Sequence, residues 1–243
     1  PYERVRVGEY ARYAWNIGLV NLVSLLNYRV DVYIVAVFAS ARALGLYAIA
    51  VSGAESLQVF TQVASIVTAP HIGSLDTPSA ARLTARAMRG NVVLAAAIAA
   101  IVFVLAPFVV RALYGTAYLD MVPAFRILLV GIVAFSSASI VSSFFTLRLG
   151  NPLLSLRVAG AAAAVCAVVS VILVPRVGIV GAAIGTVAGY LLGQAVMLAI
   201  FCRTSGIPVA RTVLLTGDDV RSLRRLVMAF LGTKPTEHRV SEV

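Results

Sequence analysis

The stretch IVGAAIGTVAGYLLGQAVMLAIF, residues 179–201, has no charged side chain over 23 positions. A bilayer core of about 30 Å requires about 20 mostly apolar residues in one helix, so this stretch predicts a transmembrane helix. Its four glycines recur at every fourth position, at Gly181, Gly185, Gly189 and Gly193. Because small residues at this spacing let a second helix approach closely, the ladder indicates helix packing rather than chemistry.

Five further apolar runs of similar length precede this stretch. They cover about 15–38, 44–69, 91–113, 122–147 and 153–174. These runs are too long for the strands of a membrane barrel and do not alternate in the required way. The sequence therefore predicts an all-α integral membrane protein with six transmembrane helices in three hairpins.

The composition excludes a soluble globular domain. Hydrophobic residues make up 60% of the chain and charged residues 12%, with a mean hydropathy of +0.96, against roughly 45–50% and 25% in soluble domains. We expect a linker segment over residues 1–14, a transmembrane lobe over 15–202 and a basic tail over 203–243. An amphipathic helix at about 218–231 of the tail is predicted to lie on an anionic membrane surface.

The twenty basic residues are divided unevenly between the two sides of the predicted membrane. Fifteen lie on the side of the termini, and Arg29 lies within a span. The other four lie on the opposite side, and they are Arg42, Arg111, Arg126 and Arg176. By the positive-inside rule both termini are predicted to be cytoplasmic. The net charge of +10 therefore indicates orientation and lipid contact, not nucleic-acid binding.

Three charged residues lie near the centre of predicted spans, namely Arg29, Asp31 and Glu55. Each costs about 2.5–3.5 kcal/mol on insertion scales, so each needs a partner or a function. The first hairpin turns near Ala41, and Arg29 and Glu55 lie at nearly equal distances from that turn. At 1.5 Å per residue they lie at similar depth and can meet. Asp31 is about 200° around the helix from Arg29, so the two face different neighbours.

Polar residues form a stripe along the second predicted span and a weaker one along the fourth. The first stripe is Ser52, Glu55, Gln58, Gln62 and Ser65, and the second is Ser136, Ser139, Ser143 and Thr146. Both follow helical spacing. The first stripe favours a substrate or ion path, although an Arg–Glu pair can also be a structural clamp. Serines in membrane helices more often serve as packing and hydrogen-bonding residues. Pro107 predicts a kink in the third span.

Several short motifs occur in order along residues 10–203. They are Asn27-Tyr28-Arg29-Val30-Asp31, Gly45-Leu46-Tyr47, Leu113-Tyr114-Gly115 with Tyr118, Gly150-Asn151-Pro152, and PRVGIVGAA at 175–183. Together they resemble the polysaccharide flippases, which are the Wzx-type O-antigen and capsule transporters of the multidrug/oligosaccharidyl-lipid/polysaccharide exporter superfamily. The resemblance is to the C-terminal six-helix lobe of a two-lobe, MATE-like transporter. It implies a fragment, one half of a split protein, or a chain that dimerises to supply the second lobe.

The resemblance implies movement of an undecaprenyl-diphosphate-linked oligosaccharide across the bacterial inner membrane by alternating access. A buried arginine is a suitable counter-ion for a diphosphate, so Arg29 is predicted to hold that group. Asp31 and Glu55 are predicted to balance its charge or take a proton, and Gln58 and Gln62 to bind sugar hydroxyls. Asn27 shares the face of Asp31 and is also predicted to contact substrate.

Other functions remain open at this point. A cation-coupled drug antiporter of the same superfamily would carry mainly acidic residues in its cavity, and a noncatalytic partner subunit would have the same general sequence pattern. An integral glycosyltransferase would need acidic or histidine clusters on outer loops, where Asp120 is the single acid. We expect no enzyme activity. The two cysteines, Cys166 and Cys202, imply neither a disulfide nor a metal site, and no cofactor is expected.

Overall fold

The computed structural model describes residues 29–150, 152–209 and 212. Within these residues the chain is helical and contains no β-strand. Five helical segments there are long and apolar enough to cross a membrane. They correspond to the second to sixth predicted spans. The first predicted span, 15–38, is described only from residue 29, and the linker at 1–14 and the helix expected at 218–231 lie outside the described residues.

Seven α-helices are described, and we number them in chain order. They are α1 (Val30–Phe38), α2 (Ala41–Ser74), α3 (Thr77–Tyr114), α4 (Val122–Phe135), α5 (Ala138–Ser143), α6 (Pro152–Val177) and α7 (Ile179–Ser205). A 3-10 helix, Thr116–Met121, precedes α4, and a π-helical turn, Phe144–Arg148, follows α5.

Local side chains define where the helices begin. The Ala43 backbone N–H donates to Ser40 Oγ at 3.2 Å, and the Ser79 N–H donates to Asp76 Oδ2 at 3.3 Å, so Ser40 and Asp76 cap α2 and α3. Gly178 separates α6 from α7 with a φ of 63°, a conformation that glycine adopts without steric cost.

The third span differs from its prediction in length. The sequence predicts it at about 91–113, but α3 runs without interruption over 38 residues. At 1.5 Å per residue α3 is about 57 Å long, well beyond the bilayer core. One face of its first half is buried, including Ala80, Ala81, Thr84, Ala85 and Met88. This tertiary packing, rather than hydropathy, extends the helix past the membrane.

The fourth predicted span is confirmed as a helical segment long and apolar enough to cross a membrane, but it is not one continuous α-helix. It breaks at Ser136 and Ser137, between α4 and α5. Asn91 Nδ2 on α3 donates to the Ser136 carbonyl at 2.7 Å, and Ser137 Oγ donates to the Met88 carbonyl at 3.3 Å. The bond from Asn91 thus replaces part of the regular backbone ladder, which allows the break within a membrane.

Arg126, which is predicted to lie on the outer side of the membrane, is one turn inside α4 and is half-buried. Its guanidinium contacts α3, where the Arg126 Cζ lies 4.8 Å from the centroid of the Phe103 ring. A cation over an aromatic face is stabilised by the ring quadrupole.

The glycine ladder packs as predicted. A Cβ on Gly181 would lie 2.6 Å from the Leu173 carbonyl carbon, and one on Gly189 would lie 2.6 Å from the Ala162 carbonyl oxygen. Both neighbours are backbone atoms of α6, so α7 can approach α6 this closely only with glycine at these positions.

Large apolar side chains are exposed along the outer faces of the helices. On α2 the exposed set is Val59, Phe60, Val63, Ile66 and Val67. An aqueous surface would not favour a continuous apolar strip of this kind, whereas lipid is its natural solvent. The described chain is therefore a membrane protein, in agreement with its composition.

Candidate functional site

Arg29 and Glu55 form an ion pair between the start of α1 and the middle of α2. The distance from Arg29 Nη2 to Glu55 Oε2 is 2.8 Å, and the side chains are 34% and 19% exposed. The expectation that these two residues meet is confirmed. Glu55 lies fourteen residues into α2, about 21 Å along its axis. An arginine at this depth is held beside a carboxylate, which offsets the cost of placing its charge in the membrane.

Asp31 faces a different set of neighbours, as the helix geometry predicted. It is 5% exposed, and its Oδ2 accepts hydrogen bonds from Tyr47 Oη at 2.6 Å and from Thr186 Oγ1 at 2.9 Å. These contacts join α1, α2 and α7. Asp31 is therefore a buried carboxylate held by two hydroxyl donors, apart from the Arg29–Glu55 pair.

Tyr47 and Thr186 are partners of Asp31 that the sequence pattern does not predict. Tyr47 belongs to the motif Gly45-Leu46-Tyr47. Thr186 follows Gly185 in the glycine ladder and is a hydroxyl-bearing residue in a strongly apolar helix. Such a residue in a buried position needs a hydrogen-bond partner, which was the available signal.

A cavity of about 280 Å³ lies among α2, the α4–α5 break, α6 and α7. Gln58 and Gln62 line it from the α2 stripe, and Ser136 and Ser139 line it from the fourth-span stripe. The structure thus brings two stripes, separated by more than seventy residues in the chain, to one space. Three polar residues outside the predicted set also line it: Thr61, Ser142 and Ser155.

Some stripe residues do not face this cavity. Ser143 Oγ donates to the carbonyl of Ser139 at 2.9 Å, which is a bond within its own helix and agrees with a structural role. Ser52 is exposed, and Ser65 is buried without lining the cavity. Asn27, predicted on the first span, lies outside the described residues.

The ion pair and the cavity are neighbours along α2. Gln58 is three residues after Glu55, so the two side chains lie on one face about 4.5 Å apart along the axis. The described residues that line the cavity are all uncharged. The site therefore combines a cation beside a carboxylate with an adjoining neutral, hydrogen-bonding space.

Comparison with known proteins identifies a family. A family model described as "polysaccharide biosynthesis protein" matches residues 1–123. No curated protein and no solved structure matches the chain. The matched region includes Arg29, Asp31, Glu55, Gln58 and Gln62, while the serines on the other side of the cavity lie beyond it.

Proposed function

Because the chain belongs to the polysaccharide biosynthesis protein family, we propose that it takes part in exporting a lipid-linked oligosaccharide across a membrane. The substrate is an undecaprenyl-diphosphate-linked oligosaccharide of a cell-surface polysaccharide such as O-antigen or capsule. Transport proceeds by alternating access, and the protein is a transporter rather than an enzyme. The family match and the membrane helices support a role in polysaccharide export. The residues of the candidate site support the choice of a diphosphate-linked substrate.

The observation that carries the proposal is the Arg29–Glu55 ion pair. A diphosphate bears negative charge and cannot cross hydrocarbon without a counter-ion. The planar guanidinium of Arg29 is suited to binding phosphate oxygens through paired hydrogen bonds. Glu55 balances the positive charge of Arg29 when substrate is absent. The Arg29–Glu55 ion pair breaks when the diphosphate binds to Arg29.

We assign to Asp31 the coupling of transport to an ion gradient. A carboxylate inside a membrane bundle is characteristic of proton or ion transfer. Its two hydroxyl partners, Tyr47 and Thr186, lie on α2 and α7. Protonation of Asp31 would change the hydrogen bonds that join these helices, so an ion gradient could shift the relative positions of α1, α2 and α7.

The setting we propose is the bacterial inner membrane, with both termini in the cytoplasm. The arginine bias supports this orientation. The substrate must pass between two protein surfaces during alternating access, so we include a second six-helix lobe as partner, supplied by another segment, another chain or a second copy. Membrane lipids are the other partners, and nucleic acid is not one.

The proposal is tested by export of the lipid-linked oligosaccharide in cells that depend on this protein. Arg29→Gln should lower export at least about tenfold, since a neutral amide lacks the charge that offsets the diphosphate. Arg29→Lys should retain part of the activity because the charge remains. Arg176→Gln, at the exposed end of α6, is the matched control and should export normally. Wild-type export by Arg29→Gln would overturn the assignment.

Asp31 favours a second candidate, the lobe of a cation-coupled antiporter for drugs or other small molecules. In that function the buried carboxylate would be essential and the arginine would not. Efflux of a fluorescent cationic dye separates the two candidates. An antiporter would lose dye efflux in Asp31→Asn and keep it in Arg29→Gln, whereas the oligosaccharide exporter should show no dye efflux that depends on either residue.

A further inference from the structure

Two exposed arginines of α3 lie just outside the stretch of this helix that crosses the membrane. Residues 90–110 carry no charged side chain, and Arg89 and Arg111 flank them. At 1.5 Å per residue these 21 residues extend about 31 Å, which matches a bilayer core of about 30 Å. Arg86 and Arg82 are exposed and lie about 4.5 and 10.5 Å beyond Arg89 along the helix axis. The headgroup layer is about 5–7 Å thick on each side, so Arg86 lies at the level of the lipid phosphates.

Arg82 and Arg86 share their face of α3 with side chains that face lipid. Three apolar side chains of this face are strongly exposed: Ile101 at 62%, Val104 at 70% and Phe108 at 73%. At about 100° per residue, all five positions fall within an arc of about 100° around the helix. One face of α3 therefore passes from basic side chains at the membrane surface to apolar side chains inside the bilayer. A phospholipid has the same order, with its phosphate at the surface and its acyl chains below.

Gly90 lies between the basic and the apolar part of this face. It is exposed, and a Cβ at this position would meet no described atom within 4 Å. Glycine inside a helix is less favourable than alanine, and packing against the described helices does not require glycine here. An exposed glycine leaves the helix backbone open to a close neighbour, and this one lies a single turn from Arg86. The bare surface suits the glycerol part of a bound lipid.

The guanidinium of Arg82 is held in position by its own helix. Arg82 Nη2 donates a hydrogen bond to Ser79 Oγ at 2.9 Å. A guanidinium has five N–H donors in a planar fork, more than this bond uses. Basic side chains near a membrane surface attract anionic lipids in general. Two guanidinium groups one turn apart, above an apolar face, can also bind one phosphodiester through charge-assisted hydrogen bonds.

We propose that Arg82, Arg86 and Gly90 form a binding site for one anionic phospholipid. The phosphodiester binds the two guanidinium groups, the glycerol lies against Gly90, and an acyl chain follows the apolar part of the face. Residues 203–243 have seven basic and four acidic side chains, so like charge disfavours this tail as the occupant. The inference is independent of the transported substrate, because Arg29 takes no part in it.

Lipid retention by the full chain tests this site. The protein is placed in nanodiscs of phosphatidylcholine with increasing fractions of phosphatidylglycerol, and native mass spectrometry counts the lipid that stays bound after release. The wild type should retain one phosphatidylglycerol in preference to phosphatidylcholine by about tenfold, because only the former has a net negative charge to pair with the arginines. Glycerophosphoglycerol, which is the same lipid without acyl chains, should not displace it, because the buried chains contribute to binding.

An arginine pair and its control separate a built site from general attraction. Arg82→Gln with Arg86→Gln should reduce the tenfold preference to about twofold or less. Arg157→Gln with Arg203→Gln also removes two exposed arginines, from α6 and α7, and should keep the preference. Equal losses in the two double variants would show that only net charge matters, and the site would be wrong.

A glycine variant tests the same site without changing any charge. Gly90→Leu covers the bare surface and should lower the preference about as far as the loss of both arginines does. Gly160→Leu is the matched control, since a Cβ on Gly160 would also meet no described atom within 4 Å, and it should bind as the wild type does.

Three further results would contradict the lipid site. They are full preference in Gly90→Leu, equal retention of the two lipids by the wild type, and displacement by glycerophosphoglycerol, which would indicate a site for soluble phosphodiesters. None of these measurements includes the oligosaccharide lipid. Their outcome therefore does not depend on whether the proposed transport function is correct.

Discussion

Arg126 Nε donates a hydrogen bond to the carbonyl oxygen of Phe103 at 3.0 Å. Phe103 lies four residues before Pro107, which is inside α3. Because proline has no backbone N–H, the carbonyl four residues earlier loses its usual helical donor. Arg126 supplies that missing donor from α4. The Arg126 side chain on α4 therefore satisfies the Phe103 carbonyl, which has no helical donor because residue 107 is a proline.

This relationship predicts a specific dependence between the two positions. Arg126→Gln should lower the free energy of unfolding by about 1–2 kcal/mol, because the carbonyl loses its donor. Pro107→Ala restores the helical N–H, so Arg126→Gln should cost much less in that background. A double-mutant cycle of unfolding in mixed micelles measures the difference. Equal costs in both backgrounds would show that the hydrogen bond contributes nothing to stability.

Glu55→Gln should separate a substrate site from a structural clamp. If Glu55 competes with the diphosphate for Arg29, its neutralisation should tighten binding of undecaprenyl diphosphate about tenfold, or about 1.4 kcal/mol. Export should slow because release becomes harder. Asp120→Asn is the matched control, since Asp120 pairs with Arg42 at 3.2 Å on an exposed surface. A clamp that plays no part in binding would leave the affinity of Glu55→Gln unchanged or weakened.

Tyr47→Phe should be destabilising because it removes one of the two hydroxyl donors to the buried Asp31. The expected loss in unfolding free energy is about 1–3 kcal/mol, which is the range for leaving a buried polar group without a partner. Thr186→Val should act in the same direction. Tyr33→Phe provides the control, since Tyr33 is 50% exposed on α1. Denaturation of purified protein in lipid micelles compares them, and equal stability of Tyr47→Phe and Tyr33→Phe would contradict the role of the bond.

Gly185→Ala should disrupt the α6–α7 contact. A Cβ at this position would overlap Ser170 Oγ and lie 2.9 Å from the Cys166 carbonyl oxygen. Overpacking of this kind costs about 1–3 kcal/mol. Gly160→Ala on α6 is the control, because its Cβ would meet no atom within 4 Å, and its greater helix propensity should be neutral or favourable by up to about 1 kcal/mol. The thermal midpoints of the two variants should therefore move apart, and similar midpoints would contradict close packing at Gly185.

Asp76 should make the stability of the folded protein depend on pH, because it caps the start of α3. Hydrogen bonds from Ser79 lower the pKa of the Asp76 carboxyl below its ordinary value of 3.8. A lowered pKa means that the cap stabilises the folded state above the ordinary pKa and loses this effect as the pH falls through the lowered value. Asp76→Ala should therefore unfold at a lower temperature than the wild type at pH 7, with a smaller difference near pH 2. A difference that does not change with pH would contradict the carboxylate cap.

Most of the fold could be predicted from sequence because lipid imposes local requirements. Each span must be long and apolar and must satisfy its own backbone, so α2, α3, α6 and α7 can be found from hydropathy alone. The Arg29–Glu55 contact was also predictable, because the two residues flank one short hairpin and helical rise sets their depths. The glycine ladder predicted close packing but did not identify α6 as its partner.

The remaining features depend on contacts that no local pattern encodes. Asp31 and Thr186 are 155 residues apart in the chain, and their contact requires a particular rotation of α1 against α7. The break at Ser136 depends on Asn91 from α3, and the cavity exists because two polar stripes face each other. Hydropathy depends on each residue and its neighbours, so the sequence by itself determined which segments enter the membrane and at what depth. Which helix faces meet depends on packing among all the described helices, so the tertiary structure alone decided the partners of Asp31 and the walls of the cavity.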